Sequence, residues 1–402
     1  MRLLLFAAKL GYQIRVFEEA ARRLGIDVQL VTDRCHVLDD PWGDRAIPVR
    51  FEDASGSLEG IEGAADGVIA VADRPLWLAA LAAQKLGVPF HSPESIAKSQ
   101  NKHLAREAFR AAGLLVPRFQ RWRLETGQGA CPTAFPVVLK PLALSGSRGV
   151  IRANNDEEFR AAWARIAKLL ESGEIRERRE EADGFIQVET YIPGREFAVE
   201  GILRQGRLRV LAIFDKPEPL EGPFFEETIY VTPSQESPET QARIVEAIER
   251  AVAAVGLSDG PLHGECRVND EGVWVLEVAG RPIGGLCARA LTFDGGKPLE
   301  EILLQAAMGE SPDPKLDEGA SGVMMIPVPG AGVLERVDGI EEASRFAEVI
   351  ITAKDGERLV PLPEGNSYPG FLFARAATPD LVTAALRQAH GRLNFRLLKA
   401  LH

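Results

Sequence analysis

His263-Gly-Glu-Cys-Arg-Val-Asn-Asp-Glu-Gly-Val-Trp-Val-Leu-Glu-Val-Ala-Gly-Arg281 is the stretch on which the reading of this chain turns. Two alternating runs flank Asp270-Glu271-Gly272, which suits a hairpin with a three-residue loop and glycine in the left-handed position. That register sets Asn269 opposite Val273 and Glu265 directly opposite Glu277. Like charges facing each other across a ladder are destabilising. A divalent cation with oxygen ligands is the natural compensation. The period of two also puts Arg267 and Arg281 on the face that carries both glutamates. The competing reading is a solvated face on which Arg267 neutralises the carboxylates. The apolar setting of Trp274, Val275 and Leu276 weighs against it.

Working outward, Phe135-Pro-Val-Val-Leu-Lys140-Pro is a buried strand ending in a lysine. Ser145, Gly146, Ser147, Arg148 and Gly149 then form a small-residue loop. An ammonium at the strand end and backbone N–H groups in such a loop hold phosphate oxygens. Taken alone the loop is as well explained by a hairpin turn. Neither a GxxxxGK[ST] loop nor a GxGxxG opening a βα unit is present. In Gln187–Glu200, a strand ending at Glu189 passes a Pro-Gly turn and returns at Glu196. The backbone of Glu189, Thr190, Tyr191 and Ile192 suits an adenine edge, and Glu196 suits ribose hydroxyls.

The N-terminal part alternates apolar runs (Arg2–Ala7, Val28–Val31, Gly67–Val71, Val88–Phe90) with helical patterns. One carries Val16, Ala20 and Leu24 on a single face, and the other is Leu76–Leu86. That alternation implies a parallel sheet covered on both faces. Ser92-Pro93 opens a helix, and Asn101–Ala112 forms another stopped by Gly113. A charged helical segment from Glu157 to about Glu181 leads to the strand Phe185–Glu189. β-like runs follow to Val278, with a helix near Thr240–Val255. Several strands and a helix near Asp380–Ala389 end the chain. The expected division is 1–95, an N-terminal α/β domain; 96–190, a lid region with its leading helix; 191–310, a central antiparallel-sheet domain with the metal site; and 311–402, a C-terminal subdomain.

The composition bounds the partners. Fifty-eight acidic against 47 basic residues leave a net charge of -11, a field that repels phosphate backbones and argues against nucleic acid. No run approaches the roughly 18 apolar residues of a membrane span. Cys35, Cys131, Cys266 and Cys287 show no CxxC pairing or zinc-like spacing, which reads as reduced thiols in a cytoplasmic protein.

In order, these pieces resemble the ATP-grasp superfamily over roughly residues 1–310. The resemblance implies the ATP-grasp fold, a multidomain arrangement of α/β and α+β parts with an extra C-terminal subdomain. It assigns Lys102 and Lys140 to ATP, the Ser145–Gly149 loop to the phosphates, Glu189–Ile192 to adenine and Glu196 to ribose. Glu265 and Glu277 become the metal pair, for magnesium or alternatively manganese. Arg281 becomes the arginine on the transferred phosphate, with Lys140 also catalytic. Where the family usually reads Glu-x-Asn-x-Arg, with asparagine a further metal ligand, this chain has Ala279. One of the usual two magnesium ions is then expected to be held more weakly or by water.

Within the superfamily the likeness is to carboxylate–amine ligases of the L-amino acid ligase type. Glu226–Ser234 resembles their substrate segment. Glu227 stands where an acidic residue holds the substrate amino group, and Tyr230 where a histidine often occurs. With Arg267 and Arg281, these are the expected substrate contacts. The implied reaction activates a small-molecule carboxylate as an acyl phosphate and joins it to an amine. A homodimer is common in the family. A biotin-type carboxylase, a small-molecule kinase and a non-catalytic ATP-binding protein are the alternatives.

Overall fold

The computed structural model describes residues 1–8, 12–33, 46–178 and 180–398. Cys35 lies outside them; Cys131, Cys266 and Cys287 are unpaired thiols. Near the N-terminus four parallel strands stand in the order Ile47–Pro48, Asp27–Thr32, Arg2–Ala7, Gly67–Val71. Alternation along Arg2–Ala7 splits it between two cores, as the sequence pattern requires. Leu4 and Phe6 pack with Ala79 and Ala83 of helix Leu76–Leu86. Leu3 and Leu5 pack with Phe17 of helix Tyr12–Leu24 and with Leu303 of helix Leu299–Ala307. Each such buried Leu or Phe contributes about 1.5–3 kcal/mol.

Val88–Phe90 is not a strand of this sheet, whose two edges are Ile47–Pro48 and Gly67–Val71. Pro89 lacks an N–H, and the segment instead ties to the central domain. The Phe90 carbonyl accepts from the Ser258 hydroxyl, while the buried His91 ring accepts from the Ser258 N–H at Nδ1 and donates from Nε2 to the Pro261 carbonyl.

The lid is an antiparallel sheet ordered Phe119–Arg123, Phe185–Thr190, Val137–Pro141, Ile151–Ala153, backed by helix Asp156–Leu170. That helix is capped by Asn155, whose side chain accepts from the Glu158 N–H. It stops before Ser172-Gly173, so the charged run does not continue unbroken to Glu181; a separate turn spans Glu181–Gly184.

The third sheet has eight antiparallel strands. Gly272–Ala279, Gly260–Asn269, Arg195–Arg204, Arg207–Asp215 and Ile229–Thr232 come from the central part. Ala320–Met325, Gly370–Ala376 and Glu348–Ile351 continue it from the C-terminal part. The ladder therefore runs across position 311 without a break between Ile229–Thr232 and Ala320–Met325. No helix among the described residues is long and apolar enough to cross a membrane.

Candidate active site

Between the lid and the central sheet lies a cavity of about 420 Å³. The hairpin beneath it has the expected carboxylate pair for a reason the pattern alone does not contain. Asn269 pairs with Gly272, so the loop is two residues rather than three, and Val268, Arg267 and Cys266 face Val273, Trp274 and Val275. A bulge at Leu276 then shifts the register by one, and Glu265 faces Glu277 after all. The extra residue in a bulge leaves ladder groups unpaired. Here the buried Arg106 supplies the donor, its Nη1 reaching the carbonyls of Leu276 at 2.8 Å and Val275 at 3.2 Å.

Arg106 also holds the adenine-side strand. Its Nε donates to Glu189 Oε1 at 2.9 Å, and Lys140 Nζ donates to Glu189 Oε2 at 2.5 Å. Burial pushes the Glu189 carboxyl up, but Arg106 and Lys140 outweigh it and hold it near 2. Burial dominates for Lys140, whose ammonium is driven down to about 8 despite Glu189. Lys102 opens helix Lys102–Ala111, whose cap Asn101 accepts from the N–H groups of His103 and Leu104. Its Nζ donates to the Leu144 carbonyl at 2.5 Å at the mouth of the small-residue loop.

That loop divides. Ser145, Gly146 and Ser147 line the cavity, with Gly146 and Ser147 at φ +63° and +54°. Arg148 and Gly149 do not line it. The Arg148 guanidinium pairs with Glu174 at 2.9 Å and donates from Nε to the Glu364 carbonyl, and the Gly149 N–H donates to the Pro363 carbonyl. These two positions fasten the loop to the C-terminal part through the Glu364 and Pro363 carbonyls.

At the hinge, the Thr190 and Tyr191 N–H groups are taken by the Arg118 and Pro136 carbonyls, and the Thr190 hydroxyl accepts from the Arg118 N–H. Among the described residues the Ile192 N–H has no such partner. Arg267 does not neutralise Glu265 or Glu277. Its donors go to Glu196 Oε2 at 2.8 Å and to the carbonyls of Ile192 and Leu220. It remains in the cavity wall, between the adenine-side hinge and Glu196.

The central charge is one the sequence reading passed over. Lys216 Nζ, fully buried, donates to Glu196 Oε1 at 2.8 Å, Glu227 Oε1 at 2.8 Å and Glu265 Oε1 at 2.7 Å. It directly follows strand Arg207–Asp215 and precedes Pro217, much as Lys140 precedes Pro141 at the end of its own strand, and that shared Lys-Pro pair was the available signal. Burial pushes the Glu265 carboxyl up, yet Lys216 and His263 hold it well below the usual range. For Glu227, burial and the Glu265 charge prevail over Lys216 and lift it to about 7. Tyr230 donates its hydroxyl to Glu227 Oε2 at 2.8 Å.

On the other side of Glu265, His263 Nε2 lies 3.4 Å from Glu265 Oε1 while Nδ1 donates to the buried Glu200. Burial lowers the basicity of this ring, but Glu200 and Glu265 raise it to about 10. Arg281 donates from Nε to Asp73 Oδ1 at 2.8 Å and approaches Glu277 to 3.9 Å. Asp73 belongs to the N-terminal part and follows Ala72, which sits at φ +69°. No motif marked it.

Could these residues hold a divalent cation? One ligand atom from each of His263, Glu265 and Glu277 lies within 4.8 Å of the others. Hard oxygen donors at that spacing fit magnesium.

Two family descriptions match the chain: an ATP-grasp domain over residues 133–290 and an L-amino acid ligase C-terminal domain over residues 324–397. The crystal structure of an L-amino acid ligase from Bacillus licheniformis superposes with a TM-score of 0.84 at 27% identity, covering 99% of both chains. An alanine–anticapsin ligase of Bacillus subtilis is 26% identical over 258 residues, which is 60% of this chain and 54% of that one. A D-alanine–D-alanine ligase of Synechococcus is 29% identical over 229 residues, 53% of this chain and 64% of that one. The chain thus spans between about half and two thirds of the length of these curated relatives.

Proposed function

This chain carries an ATP-grasp domain followed by an L-amino acid ligase C-terminal domain, and from that premise we propose that it is an ATP-dependent ligase joining an amino acid, through its carboxylate, to an amine. The observation that carries the reading is convergence. Lys102, Lys140, the Glu265–Glu277 pair and Arg281 line one cavity, and Glu227 with Tyr230 lines the same cavity.

A carboxylate is a poor electrophile and must first gain a leaving group. In the proposed reaction its oxygen attacks the γ-phosphorus of ATP in line. The bond to the β–γ bridging oxygen breaks, and ADP leaves with the electron pair. The amine nitrogen then attacks the acyl carbon, the C–O bond to phosphate breaks, and the nitrogen gives up a proton. Lys102, Lys140 and Arg281 offset charge on the transferring group, the arginine through a planar donor fork suited to phosphate oxygens. Magnesium held by Glu265 and Glu277 supplies further neutralisation of the phosphate oxygens when bound. The free Ile192 N–H faces an adenine acceptor, and Glu196 receives the ribose. Glu227 orients the substrate ammonium, with Tyr230 fixing its second oxygen. The loop fastened through Arg148 excludes water from the acyl phosphate. The reading extends to a cytoplasmic setting, in keeping with the three unpaired thiols.

The test is incubation with ATP, magnesium and panels of amino-acid pairs, following phosphate release and product mass. ADP, phosphate and a condensed product are expected. Product formed with AMP and pyrophosphate overturns the acyl-phosphate route, and phosphate release that depends on bicarbonate and biotin points to a carboxylase instead.

A further inference from the structure

Four side chains stand at the corners of one square on the face of the central sheet. His263 pairs with Ala279 and Glu265 pairs with Glu277 across the same two strands, so all four share one face of the sheet, and His263, Glu265 and Glu277 line the cavity. Three corners carry metal-ligating groups and the fourth is a methyl. We infer that His263 Nε2 is a direct protein ligand of the divalent cation, together with Glu265 and Glu277. This rests on the reading above that a cation binds there.

Three observations support it. The ligand atoms of His263, Glu265 and Glu277 lie within 4.8 Å of one another. Ligands at about 2.1 Å from an octahedral ion are separated by roughly 3 Å when adjacent and 4 Å when opposite, so little movement is needed. Second, His263 is only 4% exposed, and its outward nitrogen is held toward Glu265 by the bond from Nδ1 to Glu200. A carboxylate on the far nitrogen is the usual support of a metal-bound imidazole, fixing both ring orientation and the proton-bearing atom. Third, Glu200 is itself anchored, its Oε2 accepting from the Ile283 N–H at 3.1 Å, so the relay ends on backbone rather than on water. Ala279 leaves the space across the ladder clear, and the third donor comes from the neighbouring strand instead. Arrival of the ion releases the Nε2 proton to solvent. An imidazole in the set shifts preference from magnesium toward transition ions.

Electron spin-echo spectroscopy of Mn2+ bound with a non-hydrolysable ATP analogue tests this on the full chain. Protein labelled with 15N only at histidine is compared with unlabelled protein, so no substitution is needed. The expected result is a directly bound nitrogen whose coupling changes from the 14N to the 15N pattern on labelling. It disappears in His263→Asn, where Mn2+ affinity falls about 10-fold or more. If Mn2+ binds with the nucleotide, is lost in Glu277→Gln, and yet shows no histidine nitrogen, the inference is wrong while the reading of the site stands. No nucleotide-dependent Mn2+ binding at all overturns both.

Discussion

Asp73 and Arg281, 208 positions apart, join through a 2.8 Å bond from Arg281 Nε to Asp73 Oδ1. Burial pushes Asp73 up, but Arg281 and the Ser145 hydroxyl hold it below the usual carboxylate range. The N-terminal part thereby aims the guanidinium that the proposed mechanism places on the transferred phosphate. Asp73→Asn keeps an acceptor but removes its charge. We expect kcat to fall on the order of 10–100-fold, with a smaller change in KM for ATP. Arg281→Lys, which loses the donor fork, is expected to lose about 100–1,000-fold. Steady-state kinetics of both variants check this; an unchanged kcat in Asp73→Asn removes Asp73 from any positioning role.

Lys216 holds three carboxylates together at 2.7–2.8 Å. Removing one partner of a buried charge cluster leaves the others uncompensated, a loss of roughly 3–5 kcal/mol. Lys216→Met should therefore lower the melting temperature markedly. Magnesium with ADP should restore part of the loss, because it brings positive charge back to Glu265. Thermal melts with and without magnesium–ADP decide the matter, and equal recovery in Glu265→Gln/Lys216→Met would count against the cation's acting at Glu265.

The Lys140 ammonium sits near 8 in the free protein, so it is lost as pH rises through that value. ATP affinity should be constant below about pH 7 and weaken by up to about tenfold by pH 9. Lys140→Arg keeps its charge across this range and should flatten the profile. Calorimetry at the two pH values is the check; parallel profiles in both proteins would assign the effect to another group.

His91, buried and lowered to about 4 by desolvation, affects stability rather than chemistry. Its folded value lies below the ordinary 6.5, so the unfolded chain takes up the proton first. Stability is unaffected above about 6.5, falls as the pH drops toward 4, and by then has lost on the order of 3 kcal/mol. Urea melts at pH 7 and 4.5 should show this slope in the wild type and a shallower one in His91→Gln.

Arg148 is expected to matter for coupling and not for affinity. Arg148→Ala frees the loop from Glu174 and the Glu364 carbonyl. ATP binding should change little, while phosphate release without condensed product should rise as water reaches the acyl phosphate. The ratio of phosphate to product measures it.

What was legible in the chain follows from local rules. Apolar runs and helical patterns placed most of the buried strands and most helices, with Val88–Phe90 the exception, and Asn101 and Ser92 marked helix starts that the structure keeps. Lys140, Glu189, Glu196, Glu265 and Glu277 were legible from residue type and strand position, while Lys102, Glu227 and the role of Arg281 came from the family resemblance; all line one cavity. The pairing of Glu265 with Glu277 was reached by a loop one residue too long, and the Leu276 bulge made up the difference. That bulge depends on Arg106, about 170 positions away, filling the carbonyls it leaves open.

The sequence by itself determined which segments become strands and which charged groups must be compensated, because those are consequences of neighbours two to four positions apart. Only the tertiary structure decided which partner does the compensating. Lys216 reached Glu196, Glu227 and Glu265, Arg267 was taken by Glu196, Asp73 captured Arg281, and Arg148 turned to the C-terminal part. A buried charge takes whatever opposite charge the packed sheets bring within hydrogen-bond distance, and separation along the chain does not encode that.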